Sequence, residues 1–119
     1  MTPKIFESEY RFCRILWEHE PINSTELVKL CREHLGWSKA TTYTVIRRLA
    51  ERGVLKNENA TVTSLVSREE AESAEIDALV QSRFDGSLPA FIAAFSRKKH
   101  LTEEQAAEIL AMIDEREEE

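Results

Sequence analysis

The sequence predicts a mainly helical chain carrying one small β-hairpin, and three observations point that way. Apolar residues recur at spacings of three and four along most of the chain, the period of one helix face. Side-chain caps stand at the start of several of these stretches, in "NSTE", "GWSK", "SREE" and "LTEEQ", where they accept the N–H groups that a helix start leaves unpaired. Only one pair of short β-prone runs occurs, "VLK" and "TVTSLV" on either side of the turn-rich "NENA".

Taken in order, the first helix is expected from about Ser8 to His19, with Tyr10, Cys13, Leu16 and Trp17 in one stripe. "EPINSTE" interrupts it. Asn23, with Glu26 three positions on, forms a capping box for a second helix, Ser24 to His34, with Leu27, Leu30, Cys31 and Leu35 on one face. Ser38 caps a third helix, and Gly53 is the residue just past its end, where a left-handed conformation favours glycine. Asn57 and Asn59 both suit the tight turn of the hairpin that follows. Three helices with short links and then a hairpin make a winged helix. Ser67 with Glu70 opens a fourth helix, which runs to Phe84 and stops at Asp85-Gly86. "SLPAFIAAF" is a short fifth helix. Thr102 with Gln105 caps a sixth, whose Ala106, Ile109, Leu110 and Ile113 form a stripe before the acidic tail "DEREEE". The fold class is therefore mainly α with a small β wing: a winged helix-turn-helix domain over residues 1–66 and a helical domain over residues 67–119.

At 119 residues the chain makes one domain, or a small domain with an appended arm. It can bury only a modest core, and a chain this short completes its burial by oligomerising. No run of 18 apolar residues is present, so no membrane insertion is expected. "MTPKIFESEY" lacks the charged and apolar regions of a signal peptide, which predicts a cytoplasmic protein. Cys13 and Cys31 lie inside helical apolar patterns and are expected to be small buried hydrophobes. The net charge of −6 conceals a division: residues 1–66 carry ten Lys/Arg against eight Asp/Glu, a net of +2, and residues 67–119 six against fourteen, a net of −8. Only the first half suits an anionic partner.

The third helix shows what that partner would be. At about 100° per residue, Thr42, Val45, Ile46 and Leu49 fall on a core face. Ala40, Thr44 and Arg47 point away from it, with Thr41 and Arg48 on one rim and Tyr43 on the other. Short polar residues thus precede two guanidinium groups, an arrangement suited to a helix whose N-terminal half enters the major groove of double-stranded DNA. Threonine offers a hydroxyl or a methyl to base edges, and arginine reaches guanine or phosphate. The helix start with Ser38 suits a flanking phosphate. Lys39, at the helix start, and Lys56, at the base of the wing, are further candidates for DNA contact. Each of these residues also has a plainer reading, as surface charge or helix decoration. The helix-turn spacing, the hairpin and the charge division together favour DNA.

The second half holds Leu79, Val80, Phe84, Leu88, Phe91, Ile92, Phe95, Leu101, Ile109, Leu110 and Ile113 on three short helices with no sheet to cover them. A homodimer built on these residues is expected. Cys31 and His34, three apart, could face one metal, but two ligands are too few for a structural site. His19, Cys13 and His100 show no motif spacing, so no metal is expected. With three glycines there is no phosphate-cradling loop, and no G-x-S-x-G or H-E-x-x-H. Neither an enzyme nor a cofactor is expected.

"ILWEHEPINSTELV", "GWSKATTYTVIRRLAERGVL", "LVSREE", "FDGSLPAFIAAF" and "LTEEQ" occur in the order, and near the spacing, of the BlaI/MecI/CopY penicillinase-repressor family. The chain resembles that family over essentially its whole length. The resemblance implies a winged-helix DNA-binding domain, a helical dimerisation domain, and a dimeric repressor on a dyad-symmetric operator. It also implies base-reading roles for Thr41 and Thr44 and a recognition-helix role for Arg48. Three departures stand out. The wing is short, with Val62 about where many members have a tyrosine. No cysteine follows Cys31, which excludes copper sensing through paired Cys-X-Cys motifs. Members controlled by a membrane sensor-protease are cut before a phenylalanine that Phe95 matches, which makes Ala94–Phe95 a candidate scissile bond. There, alanine replaces the asparagine of the β-lactam-responsive members. The competing expectation is a winged-helix adaptor that binds protein and not DNA, favoured by the short, neutral wing.

Overall fold

The computed structural model describes residues 2–98 and 101–118. The element order is α1 (Glu7–His19), β1 (Ile22–Asn23), α2 (Ser24–Leu35), α3 (Lys39–Glu51), β2 (Leu55–Glu58), β3 (Thr61–Ser64), α4 (Arg68–Phe84), α5 (Leu88–Lys98) and α6 (Glu103–Glu118). The protein is thus mainly α with one small antiparallel sheet, as the periodicity predicts. The chain divides into two compact units, Met1–Ile76 and Asp77–Glu119.

In the first unit Phe12, Cys13, Leu16, Leu27, Cys31, Ile46, Leu49, Val54, Leu55 and Val62 close into one core. The buried stripe of α1 is centred on Phe12, Cys13 and Leu16, while Tyr10 and Trp17 flank it, half-buried and ring edge to ring face at 5.6 Å. The shift has a physical cause: the Trp17 indole N–H donates to the Val66 carbonyl at 2.9 Å, so its ring faces the chain leaving the wing. Phe12 stacks on Trp37 at 6.0 Å between centroids, which fixes the link between α2 and α3 over the core.

The sheet has three strands in the order β1-β3-β2. The third strand was not legible in the sequence, because two residues after a proline carry no period. Ile22 pairs with Val62 and Asn23 with Thr61. The Glu20 carboxylate, at the end of α1, accepts both the Ser64 N–H and the Ser64 hydroxyl at 2.8 Å. The hairpin turn differs from expectation in one residue. Asn57 lies within β2, opposite Val62, and the turn is made by Asn59 and Ala60, both at positive φ. Two left-handed residues give the twist that a two-residue hairpin needs, and asparagine tolerates that region better than alanine.

The caps are mostly those the sequence announces. Ser38 caps α3 and Gly53 follows its end at φ +82°. Ser67 and Glu70 form a reciprocal box on α4, and Thr102 and Gln105 do so on α6. At α2 the Asn23 side chain accepts from the Thr25 N–H, so the cap is a local turn rather than the expected box with Glu26. The first helix begins at Glu7, one residue earlier than predicted, because the Glu9 carboxylate accepts the Phe6 N–H at 2.9 Å.

In the second unit, α4 ends on Asp85 and Gly86, at φ 48° and 79°. The Gly86 N–H returns to the Val80 carbonyl at 3.0 Å, and a Cβ there would meet the Gln81 amide at 3.3 Å. Ser87 caps α5 through the Ala90 N–H, and Phe84 meets Phe91 edge to face at 5.6 Å. The acidic segment expected as a tail is helical: α6 runs through Asp114 and Glu115 to Glu118.

Candidate nucleic-acid interface

The recognition candidate is α3, held by its inner face. Thr42 and Leu49 are fully buried and Ile46 is nearly so, with Val45 half-buried at the edge. Thr42 can be buried because its hydroxyl donates to the Ser38 carbonyl at 3.1 Å, which removes the cost of an unpaired polar group. The outer face is then fixed in rotation. Ser38, Lys39, Ala40, Thr41, Arg47 and Arg48 are exposed. Thr44 is half-buried rather than open.

The start of α3 is closely organised. Ser38 Oγ accepts the Thr41 N–H at 3.1 Å and donates to Thr41 Oγ1 at 3.0 Å. This leaves the Thr41 hydroxyl hydrogen free to donate outward, and commits the Ser38 hydroxyl to the cap. Among the described residues, the Lys39 and Ala40 N–H groups have no partner. They are the groups of a helix start that attract an anion. Replacing Ser38 with alanine will remove both bonds; we expect a loss of about 1 kcal/mol in stability, readable by urea denaturation.

Tyr43 faces α2. Its ring packs against the core and its hydroxyl lies 3.2 Å from Ser24 Oγ, so its polar tip sits at the N-terminus of α2. Arg47 and Arg48 form no ion pair among the described residues. Lys56, on β2, lies 3.9 Å from Glu58 on the same strand. The wing therefore presents a cation and a carboxylate together.

One pairing beneath this face escaped the sequence reading. Arg52, just after α3, binds the buried Glu9 carboxylate and donates to the Lys4 carbonyl at 2.9 Å. Burial pushes the Glu9 carboxyl up, but the Arg52 hydrogen bond, the Phe6 N–H and the charges of Arg52 and Arg48 outweigh it and hold it below its ordinary 4.5. The i, i+3 relation of Phe6 and Glu9 at a helix start could have signalled the Phe6 N–H bond, but nothing local signals the Arg52 partner 43 positions away. Because the folded value is depressed, this contribution is present above about pH 4.5 and is lost as pH falls through the folded value. Arg52→Ala will strand the carboxylate and cost about 2 kcal/mol at neutral pH. In thermal melts the gap to the unmutated protein will narrow below pH 4.5.

The cysteines are core residues. Burial pushes Cys13 up to about 12 and Cys31 to about 11, so both stay protonated and poorly suited to bind metal. Cys31 is fully buried while His34 is exposed, and the pair does not converge as their spacing allowed. His100 lies outside the described residues.

In the second unit Val80 is buried and Phe84 and Phe91 are half-buried. Leu79, Leu88, Ile92, Phe95, Leu101, Ile109, Leu110 and Ile113 are exposed, from 41% at Leu79 to 60% at Leu110. Met112, and Ile76 at the end of the first unit, are exposed as well. No described helix is long and apolar enough to cross a membrane.

Comparison with known proteins bears on this architecture. A penicillinase repressor of Bacillus licheniformis is 23% identical over 117 residues, 95% of this chain and 91% of its own length. An uncharacterized 16.5 kDa protein in the ptsI 3′ region of Latilactobacillus sakei is 30% identical over 99 residues, 76% of this chain and 68% of its own. The solution structure of monomeric Bacillus licheniformis BlaI in complex with the blaP half-operator superposes with a TM-score of 0.52 at 26% identity, covering 59% of this chain and 90% of that one. The solution structure of the DNA-binding domain of the repressor BlaI gives 0.51 at 27% identity over the same shares. Residues 5–115 match the sequence profile of the family described as Penicillinase repressor, and the chain belongs to that family.

Proposed function

We propose that this chain is a cytoplasmic, sequence-specific DNA-binding repressor that acts as a homodimer on a dyad-symmetric operator. The observation that carries the reading is the outer face of α3. Thr41, Arg47 and Arg48 stand clear of the core beside Thr44, with two free N–H groups at the helix start. The superposable BlaI domain was solved on a half-operator, and the same helical frame supports the same use here. Thr41 and Thr44 read base edges in the major groove, and Arg47, Arg48 and Lys39 neutralise phosphates or flanking guanines. Ser38 acts through the cap that orients Thr41, and Tyr43 is a further candidate for phosphate contact through its hydroxyl beside Ser24. Lys56 contributes least, since Glu58 balances it.

Residues 1–66 supply the DNA-binding part and residues 67–119 the dimerisation part of this reading. The exposed apolar residues of α4, α5 and α6 are more than a monomer of this size leaves open without a partner, and a second copy would cover them. A membrane sensor-protease is a further candidate partner, cutting at Ala94–Phe95. That bond lies inside α5, so cleavage requires the helix to open locally. The test of the reading is an anisotropy titration of the full chain against its own upstream DNA with unrelated competitor. Competitor-resistant binding supports it. A folded protein that shows none on any genomic fragment is an adaptor instead.

A further inference from the structure

The N-terminal arm, residues 2–6, is pinned to the end of α3. The Arg52 guanidinium donates to the Lys4 carbonyl at 2.9 Å and lies 5.0 Å from the centroid of the Phe6 ring. The Lys4 ammonium lies 4.8 Å from the same centroid, and a Cβ added at Gly53 would meet Pro3 at 3.9 Å. Phe6 is 49% exposed, and its ring face is in reach of both cations. Arg52 is bonded to the buried Glu9 carboxylate, which also feels Arg48, while Lys4 lies with Arg52 against the Phe6 ring. Glu7, at the start of α1, and Glu51, on α3, are the other acids nearby in the chain, and both are exposed. With Arg52 committed to Glu9, Lys4 and Arg48 are the two cations left unpaired at this edge among the described residues.

We propose that the arm is a second DNA-contacting element, in which Lys4 neutralises a backbone phosphate beside the groove that α3 enters. Arg52 is its positioning residue. This rests on the reading of α3 as a DNA-binding helix. A flexible lysine contributes charge rather than base recognition, so the contact adds affinity equally on operator and unrelated DNA. The ordering of the arm before binding reduces the entropy lost on contact.

The test is the salt dependence of DNA binding by the full chain, for the unmutated protein, Lys4→Ala and Arg97→Ala. The last removes the same charge from the second unit. Lys4→Ala should lower the log–log salt slope of the bound dimer by roughly 1.8, which is about 0.9 for one phosphate contact in each of two protomers. It should weaken operator and random DNA alike by roughly 3- to 10-fold at low salt, with an unchanged melting temperature. Arg97→Ala should leave the slope where it is. A Lys4→Ala slope equal to that of the unmutated protein, or to that of Arg97→Ala, overturns the inference while leaving the role of α3 intact. Absence of salt-dependent binding by the unmutated protein would overturn both.

Discussion

Replacing Thr44 and Arg48 together with alanine will abolish operator recognition and leave the fold intact. Thr44 is half-buried, Arg48 is exposed, and neither belongs to the core cluster. The domain therefore loses little packing, and its melting temperature should move by no more than a few degrees. The DNA complex loses one contact from each residue, repeated by symmetry in the second protomer. At the low end of about 1 kcal/mol per contact, and about 1.4 kcal/mol per tenfold, specific affinity falls roughly 1,000-fold. Binding to random DNA falls much less, because Arg47, Lys39 and the start of α3 still meet phosphates. The measurement is an anisotropy titration on operator and scrambled duplexes. Equal losses on both would assign the pair to phosphate contact and leave base reading to Thr41.

The second large effect concerns assembly. Ile92→Asp with Leu110→Asp should dissociate the dimer without unfolding either unit. Ile92 and Leu110 are 51% and 60% exposed in the single chain, so the monomer gives up little by carrying carboxylates there. In the proposed dimer each substitution would remove a buried aliphatic group, worth about 2 kcal/mol. It also buries a charge that the already acidic half, at −8, cannot neutralise. Symmetry doubles both costs. We expect the dimer dissociation constant to rise by roughly 1,000-fold or more, read by sedimentation equilibrium. Operator affinity should fall with it, since two linked half-site contacts become two separate ones. A variant that still sediments as a dimer would place the interface elsewhere in the second unit.

What was legible in the sequence follows from how locally each feature is determined. Ser38, Ser67, Thr102 and Gly53 announce themselves because a cap or a left-handed residue is fixed by its immediate neighbours. The core face of α3 was legible for the same reason: Thr42, Ile46 and Leu49 are set by helical period alone. The features missed depend on partners far along the chain. The Ile22–Asn23 strand exists only because Val62 and Thr61 lie beside it. Glu9 and Arg52 pair across 43 positions, and no periodicity reports that. Ala60 takes positive φ because a two-residue hairpin imposes it, against the residue's own preference. In the candidate interface, the helix and its outward residues were legible, while the commitment of the Ser38 hydroxyl, the Tyr43 contact with Ser24 and the Lys56–Glu58 balance depend on side-chain geometry that no sequence period carries.

The most direct test of the central claim, that two copies of α3 read one operator, is hydroxyl-radical footprinting of the full chain on its upstream DNA. Two equivalent protected patches related by a dyad are expected, their centres one or more helical turns of roughly 34 Å apart. Both should appear at the same protein concentration and vanish together in the Thr44→Ala/Arg48→Ala variant. A single patch, two patches that fill independently, or protection that survives in the double variant would contradict it.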